Sequence, residues 1–122
     1  MMSASGLDNK EAGPRVAYAL PEVVANISAG AAHRDENPSF PEQPFRQLAR
    51  AGVLAIPAPD PVSAPGRRAT ISEEWRVLRA VAAADGSVGR ILDGHFNGVE
   101  RVSLLAPEPL RSAELAAVGA GE

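Results

Sequence analysis

The 122-residue chain contains no cysteine, so it can form no disulfide, thiolate nucleophile or thiolate metal site. A reducing compartment is expected, with the cytoplasm as the default. Aromatic residues are few (three Phe, one Trp and one Tyr), and alanine dominates the apolar share. Alanine favours helix and packs thinly, which predicts close-packed helices with few large anchors. The formal net charge is only −3 and no basic run occurs, which argues against a nucleic-acid partner. No apolar stretch approaches the roughly 20 residues of a membrane span, so no membrane partner is expected. The opening residues "MMSASGLDNKEAGP" have no apolar core and do not read as a signal peptide. No G-x-G-x-x-G or P-loop is present to cradle a phosphate.

What is present reads as about five helices in a single all-α domain over residues 16–122, behind a disordered N-terminal tail over 1–15. Pro21 suits the first turn of the first helix, with Leu20, Val24, Ile27 and Ala31 on one face. The stretch "HRDENPSFP" breaks that pattern. In "PEQPFRQLARAGVLAIP", Pro41 or Pro44 opens a short second helix striped by Phe45, Leu48 and Ala49. Gly52 offers it a left-handed stop, and Val53, Leu54 and Ile56 continue as an extended segment. "PAPDPVSAPGRR" is then a proline-rich loop. Thr70 and Glu73 form a capping box for a third helix whose inner face is Ile71, Trp75, Leu78 and Val81 or Ala82. Asp85–Gly86 ends it, and Ser87 can cap a fourth helix reaching about Leu105. Pro109 opens a fifth helix that carries Leu110, Ala113, Leu115, Ala117 and Val118.

The fourth helix holds the most informative residues. At about 100° per residue, Val88, Ile91, Leu92, Val99 and Val102 gather on one face, with His95 near its middle and Phe96 beside it. Asp93, Asn97 and Glu100 lie opposite, with Arg90 and Arg101 alongside. Gly94 and Gly98, one turn apart, make a bare strip along the other edge. Each glycine costs a helix roughly 1 kcal/mol relative to alanine, so a geometric reason is expected, namely close approach of another backbone or of a flat ligand. Two readings of His95 stand on the residues alone. It is a core imidazole bonded to backbone carbonyls, or it faces a cavity and supplies a proton or hydrogen bond there.

Other candidates carry less. His33 sits beside Asp35 and Glu36, but the contiguous spacing suits a solvated helix end, and no metal site is expected. Ser87, Asp93 and His95 make no triad, because Asp93 points away from His95 on a helix. The arginines of "PGRR" read as a solvated loop, and Trp75 as core.

The ordered set "HRDENPSFP", "LARAGVLAIPAP", "AAADGSVG" and "RILDGHFNGV" resembles the N-terminal helical domain of the acyl-CoA dehydrogenase superfamily, and within it the flavin-dependent monooxygenase-like branch. The resemblance spans nearly everything from about Val16. It implies an oxidoreductase fold whose fourth helix packs over FAD or FMN. His95 would be the catalytic residue and, with Gly94, a cofactor contact. Leu92, Phe96, Gly98 and Val99 would shape the pocket for a small-molecule or acyl-CoA substrate. It also implies that a β-barrel and a C-terminal helical domain, which supply most flavin contacts, are absent from residues 16–122. A fragment or truncated product, inactive by itself, is therefore expected. The loop "PAPDPVSAPGRRAT" lacks the tyrosine and glycine pair usual in the family. Two other readings are a non-catalytic helical assembly module, pairing with itself or with a complementary chain, and a small helical protein unconnected with flavin.

Overall fold

The computed structural model describes residues 13–60, 64–67 and 69–120, with side chains at 16–59 and 69–120. Five α-helices make up the body: α1 (Gly13–Glu36), α2 (Glu42–Arg50), α3 (Ile71–Ala84), α4 (Gly86–Leu105) and α5 (Leu110–Gly119). The fold is all-α in this sense, as its alanine-rich, alternation-free sequence implies.

Helix α1 starts earlier than expected. Residues 13–15, assigned to the tail, are helical, Pro14 stands in the first turn, and Pro21 lies inside the helix. Pro21 is exposed, so the backbone bond it cannot make is lost on the outer side. The rest of the expected tail lies outside the described residues. Val16, Val23 and Ile27 of α1 are buried at helical spacing, with Leu20 and Val24 packed beside them. The helix stops ahead of Pro38, which disfavours the α conformation at Asn37. Asn37 closes the end by donating both its backbone N–H and its Nδ2 to the His33 carbonyl.

Helix α2 is capped by Pro41 and has Pro44 in its first turn. Leu48 is its buried anchor, and Phe45 is only half-buried. Gly52 adopts the left-handed conformation (φ 86°) expected of it. The residues that follow are not extended, however. Val53–Ala55 form a 3₁₀ turn that buries Val53 and Ile56 in the core. The proline-rich loop also contains a short antiparallel ribbon, β1 (Pro59–Asp60) with β2 (Ala64–Arg67).

In α3 the capping box forms as read: Glu73 N–H donates to Thr70 Oγ1 (3.2 Å), and Thr70 N–H donates to Glu73 Oε2 (2.6 Å). The buried stripe is turned by roughly 90° from the expected one. It consists of Glu74, Val77 and Val81, whereas Ile71 and Trp75 face outward, with Trp75 67% exposed. Trp75 is therefore not a core residue. An apolar helix with two candidate stripes is oriented by what packs on it, and α3 is held against both α1 and α4.

A single residue, Asp85, joins α3 to α4. Its backbone is extended (φ −158°, ψ 112°), and its Oδ1 accepts from the N–H groups of Ser87 (2.9 Å) and Val88 (3.3 Å). The cap is thus Asp85, not Ser87. Two helices joined by one residue must approach closely, and Gly89 makes this possible. A Cβ placed on Gly89 would lie 2.6 Å from Cα and Cβ of Ala82. Helix α4 buries Val88, Gly89, Leu92, Phe96 and Val99, while Ile91 is partly exposed. Burying Leu92 and Phe96 stabilises the fold by about 2–3 kcal/mol each.

Helix α5 buries no residue fully. Its start is fixed by Glu108, which accepts from the Ser112 hydroxyl (2.8 Å), the Ser112 N–H (3.1 Å) and Arg111 Nη2 (2.9 Å). The Ser112 and Arg111 donors hold the Glu108 carboxyl below the ordinary glutamate range.

Candidate functional site

The buried stripe of α4 sets the position of His95. Gly89, Leu92 and Phe96 face α3 and the core, so the stripe is centred about 50° from where hydropathy alone puts it. His95 falls at its rim, half-buried, and not at its middle. Its Nε2 lies 2.7 Å from the Leu54 carbonyl oxygen in the 3₁₀ turn. A carbonyl only accepts, so Nε2 carries the proton in that bond. The ring therefore ties α4 to the 3₁₀ turn, as the core reading expects, and yet it also borders a groove, as the ligand reading expects.

That groove has a volume of about 340 Å³ and lies between α4 and α5. From α4 it is lined by His95, Gly98, Val99 and Val102, and from α5 by Glu114, Leu115 and Val118. The volume falls near the lower end of the range for small-molecule sites. Among the described residues the other walls are aliphatic, and the polar side chains on the lining are those of His95 and Glu114.

Of the residues singled out in the sequence, His95, Gly98 and Val99 come together in the groove. Leu92 and Phe96 do not line it, because both are sealed in the chain's own core. Gly94 is exposed on the outer side of α4, and a Cβ at Gly94 or Gly98 would meet nothing within 4 Å. Among the described residues no backbone approaches either glycine, and the close helix crossing occurs at Gly89 instead. The α5 residues of the groove were not anticipated. Their signal was the Leu115/Val118 spacing with Glu114 just before it, which reads equally well as ordinary packing. The Leu54 carbonyl carries no side-chain signal at all.

A second polar cluster sits at the α3–α4 junction. Arg34 reaches from the last turns of α1 and donates to Asp85 Oδ2 and to the Ile27 carbonyl. Burial raises the Asp85 carboxyl, but hydrogen bonds from Arg34, Val88 and Ser87 outweigh it and hold the group below the ordinary aspartate range. A cleft of about 200 Å³ adjoins this pair. The guanidinium is already committed to these acceptors, so the cluster serves as a brace. His33 and Asp35, next to Arg34, are exposed. Among the described residues no group of three His, Asp or Glu side chains could hold a metal ion, and no helix is long and apolar enough to cross a membrane.

No family model, curated protein or solved structure matches this chain.

Proposed function

We propose that this chain is the N-terminal helical domain of a flavin-dependent oxidoreductase of the acyl-CoA dehydrogenase type, contributing one wall of a flavin and substrate pocket. The observation that carries the reading is the groove in which His95 meets Gly98 and Val99 on a bare, open side of α4. A flat ring system needs a smooth apolar wall with few hydrogen-bonding groups, and this surface fits it. The phosphates of FAD or FMN fit less well, since among the described residues no arginine or lysine lines the groove. They would be held by groups elsewhere in the complete enzyme. When bound, the flavin would supply the redox chemistry. His95 would hydrogen-bond the cofactor or substrate and hold or release a proton at Nδ1, Gly98 would let the ring lie close, and Val99 would border the substrate; Gly94, outside the groove, would make no such contact.

Isolating the native product from its own cells through a tag at Met1, under conditions that preserve complexes, tests this reading. A yellow chromophore released on denaturation, in stoichiometric amount, is the expected result. A colourless preparation overturns the reading.

A second reading, a helical assembly module, is favoured by Leu104, Leu105 and Leu110, which stand exposed around the α4–α5 connection. Scattered exposed leucines are ordinary, but three together suit a covering surface. Sedimentation of the chain as a monomer over a wide concentration range, with no companion chain recovered, would rule it out.

A further inference from the structure

We propose that the Leu54 carbonyl is a positioning group that fixes His95 as its Nε2–H tautomer. Nδ1 is thereby left as a proton acceptor for the groove, and the groove selects an uncharged or cationic aliphatic ligand bearing an O–H or N–H donor. The inference uses the same groove as the proposed function but requires no flavin.

The first half follows from the 2.7 Å contact. In a neutral imidazole one nitrogen carries the hydrogen and the other a lone pair. The carbonyl has no proton to give, so pairing with it assigns the hydrogen to Nε2. Among the described residues this is the hydrogen bond the ring makes, and it leaves Nδ1 for an external donor. Backbone carbonyls orient metal-binding and catalytic imidazoles by the same logic, setting the tautomer from the far side of the ring.

The second half follows from the lining. Among the described residues the polar side chains on the lining are those of His95 and Glu114; with Nε2–H given to Leu54, Nδ1 and the carboxylate are the acceptors they have left, and the other side chains are Val99, Val102, Leu115 and Val118. With no cation on the lining among the described residues, an anionic ligand would meet the Glu114 charge with nothing there to offset it. A purely apolar ligand would leave Nδ1 unpaired once water is displaced, which costs binding energy. An aliphatic body with one donor satisfies both conditions.

Nitrogen-15 spectra of the labelled imidazole, recorded at alkaline pH where the ring is neutral, test the tautomer. Titration with cyclohexanol, cyclohexylamine, cyclohexyl methyl ether and cyclohexanecarboxylate tests the selectivity. The expected result is a protonated Nε2 and a bare Nδ1, with Nδ1 shifting saturably on addition of cyclohexanol or cyclohexylamine. The ether should bind about fivefold more weakly than the alcohol, consistent with one hydrogen bond, and the carboxylate more weakly still. In Glu114→Gln, an exposed change that leaves the core untouched, the preference for amine over carboxylate should shrink. A ring found with the hydrogen on Nδ1 overturns the positioning role. Equal binding of alcohol, ether and carboxylate, or no shift of Nδ1 with any probe, overturns the selectivity. Flavin content is read separately, so failure here is distinguishable from failure of the oxidoreductase reading.

Discussion

Arg34 and Asp85, 51 residues apart in sequence, are joined by two donors on one oxygen: Nη2 at 2.9 Å and Nε at 3.1 Å from Oδ2. The other carboxylate oxygen caps α4. One side chain thus ties the end of α1 to the corner between α3 and α4, with the two partners only 19% and 11% exposed.

Asp85→Ala removes both the ion pair and the cap, and should destabilise the chain by on the order of 2–4 kcal/mol in urea unfolding. Asp85→Asn keeps a capping oxygen and should lose about half as much. Because the folded carboxyl titrates below its ordinary value, its contribution is fully present above the unfolded value near pH 4. It is lost as pH falls through the lower, folded value. Wild-type stability should therefore decline with acidification in that window more steeply than that of Asp85→Ala. Parallel pH profiles for the two would contradict the assignment.

Gly89 and Gly94 should respond to alanine with opposite signs. At Gly89 the new Cβ meets the backbone of Ala82 at 2.6 Å, and the one-residue connection gives the helices little room to separate. A loss of about 1–3 kcal/mol is expected. At Gly94 the new methyl group enters open space, and the gain in helix propensity should stabilise by roughly 1 kcal/mol. Thermal unfolding of the two variants measures both effects.

Trp75 is the chain's single tryptophan and lies on the outer face of α3. Its fluorescence should be that of a solvated indole in the folded state, readily quenched by acrylamide and little shifted on unfolding. Trp75→Ala should change stability by no more than about 0.5 kcal/mol. A blue-shifted, protected emission in a dilute monomer would place the ring in an interior.

The sequence made the helices legible because their signals are local. The Thr70/Glu73 box, the Gly52 stop and the Asp85–Gly86 break each act within a few residues. Which face of each helix is buried is decided non-locally. Ile71 and Trp75 make as good a stripe as Val77 and Val81, and the choice falls to packing on α1 and α4. A smaller rotation of the buried stripe in α4 puts His95 not at the centre but at the rim, where it can bond Leu54 and border the groove at once. Gly94 and Gly98 attracted notice as a pair. The glycine that the fold requires is Gly89, whose role is set by Ala82 on the preceding helix and not by any local pattern. The Arg34–Asp85 brace joins residues too distant in sequence for any spacing rule to connect.

The groove at His95 carries the central claim, and flavin affinity of the native product, with His95 intact and as His95→Ala, tests it most directly. A Kd for flavin raised about tenfold or more in the variant is expected, alongside a stability loss of about 1–2 kcal/mol from the broken bond to Leu54. An unchanged flavin affinity, with only the melting temperature lowered, would make the imidazole a structural tie and contradict the account.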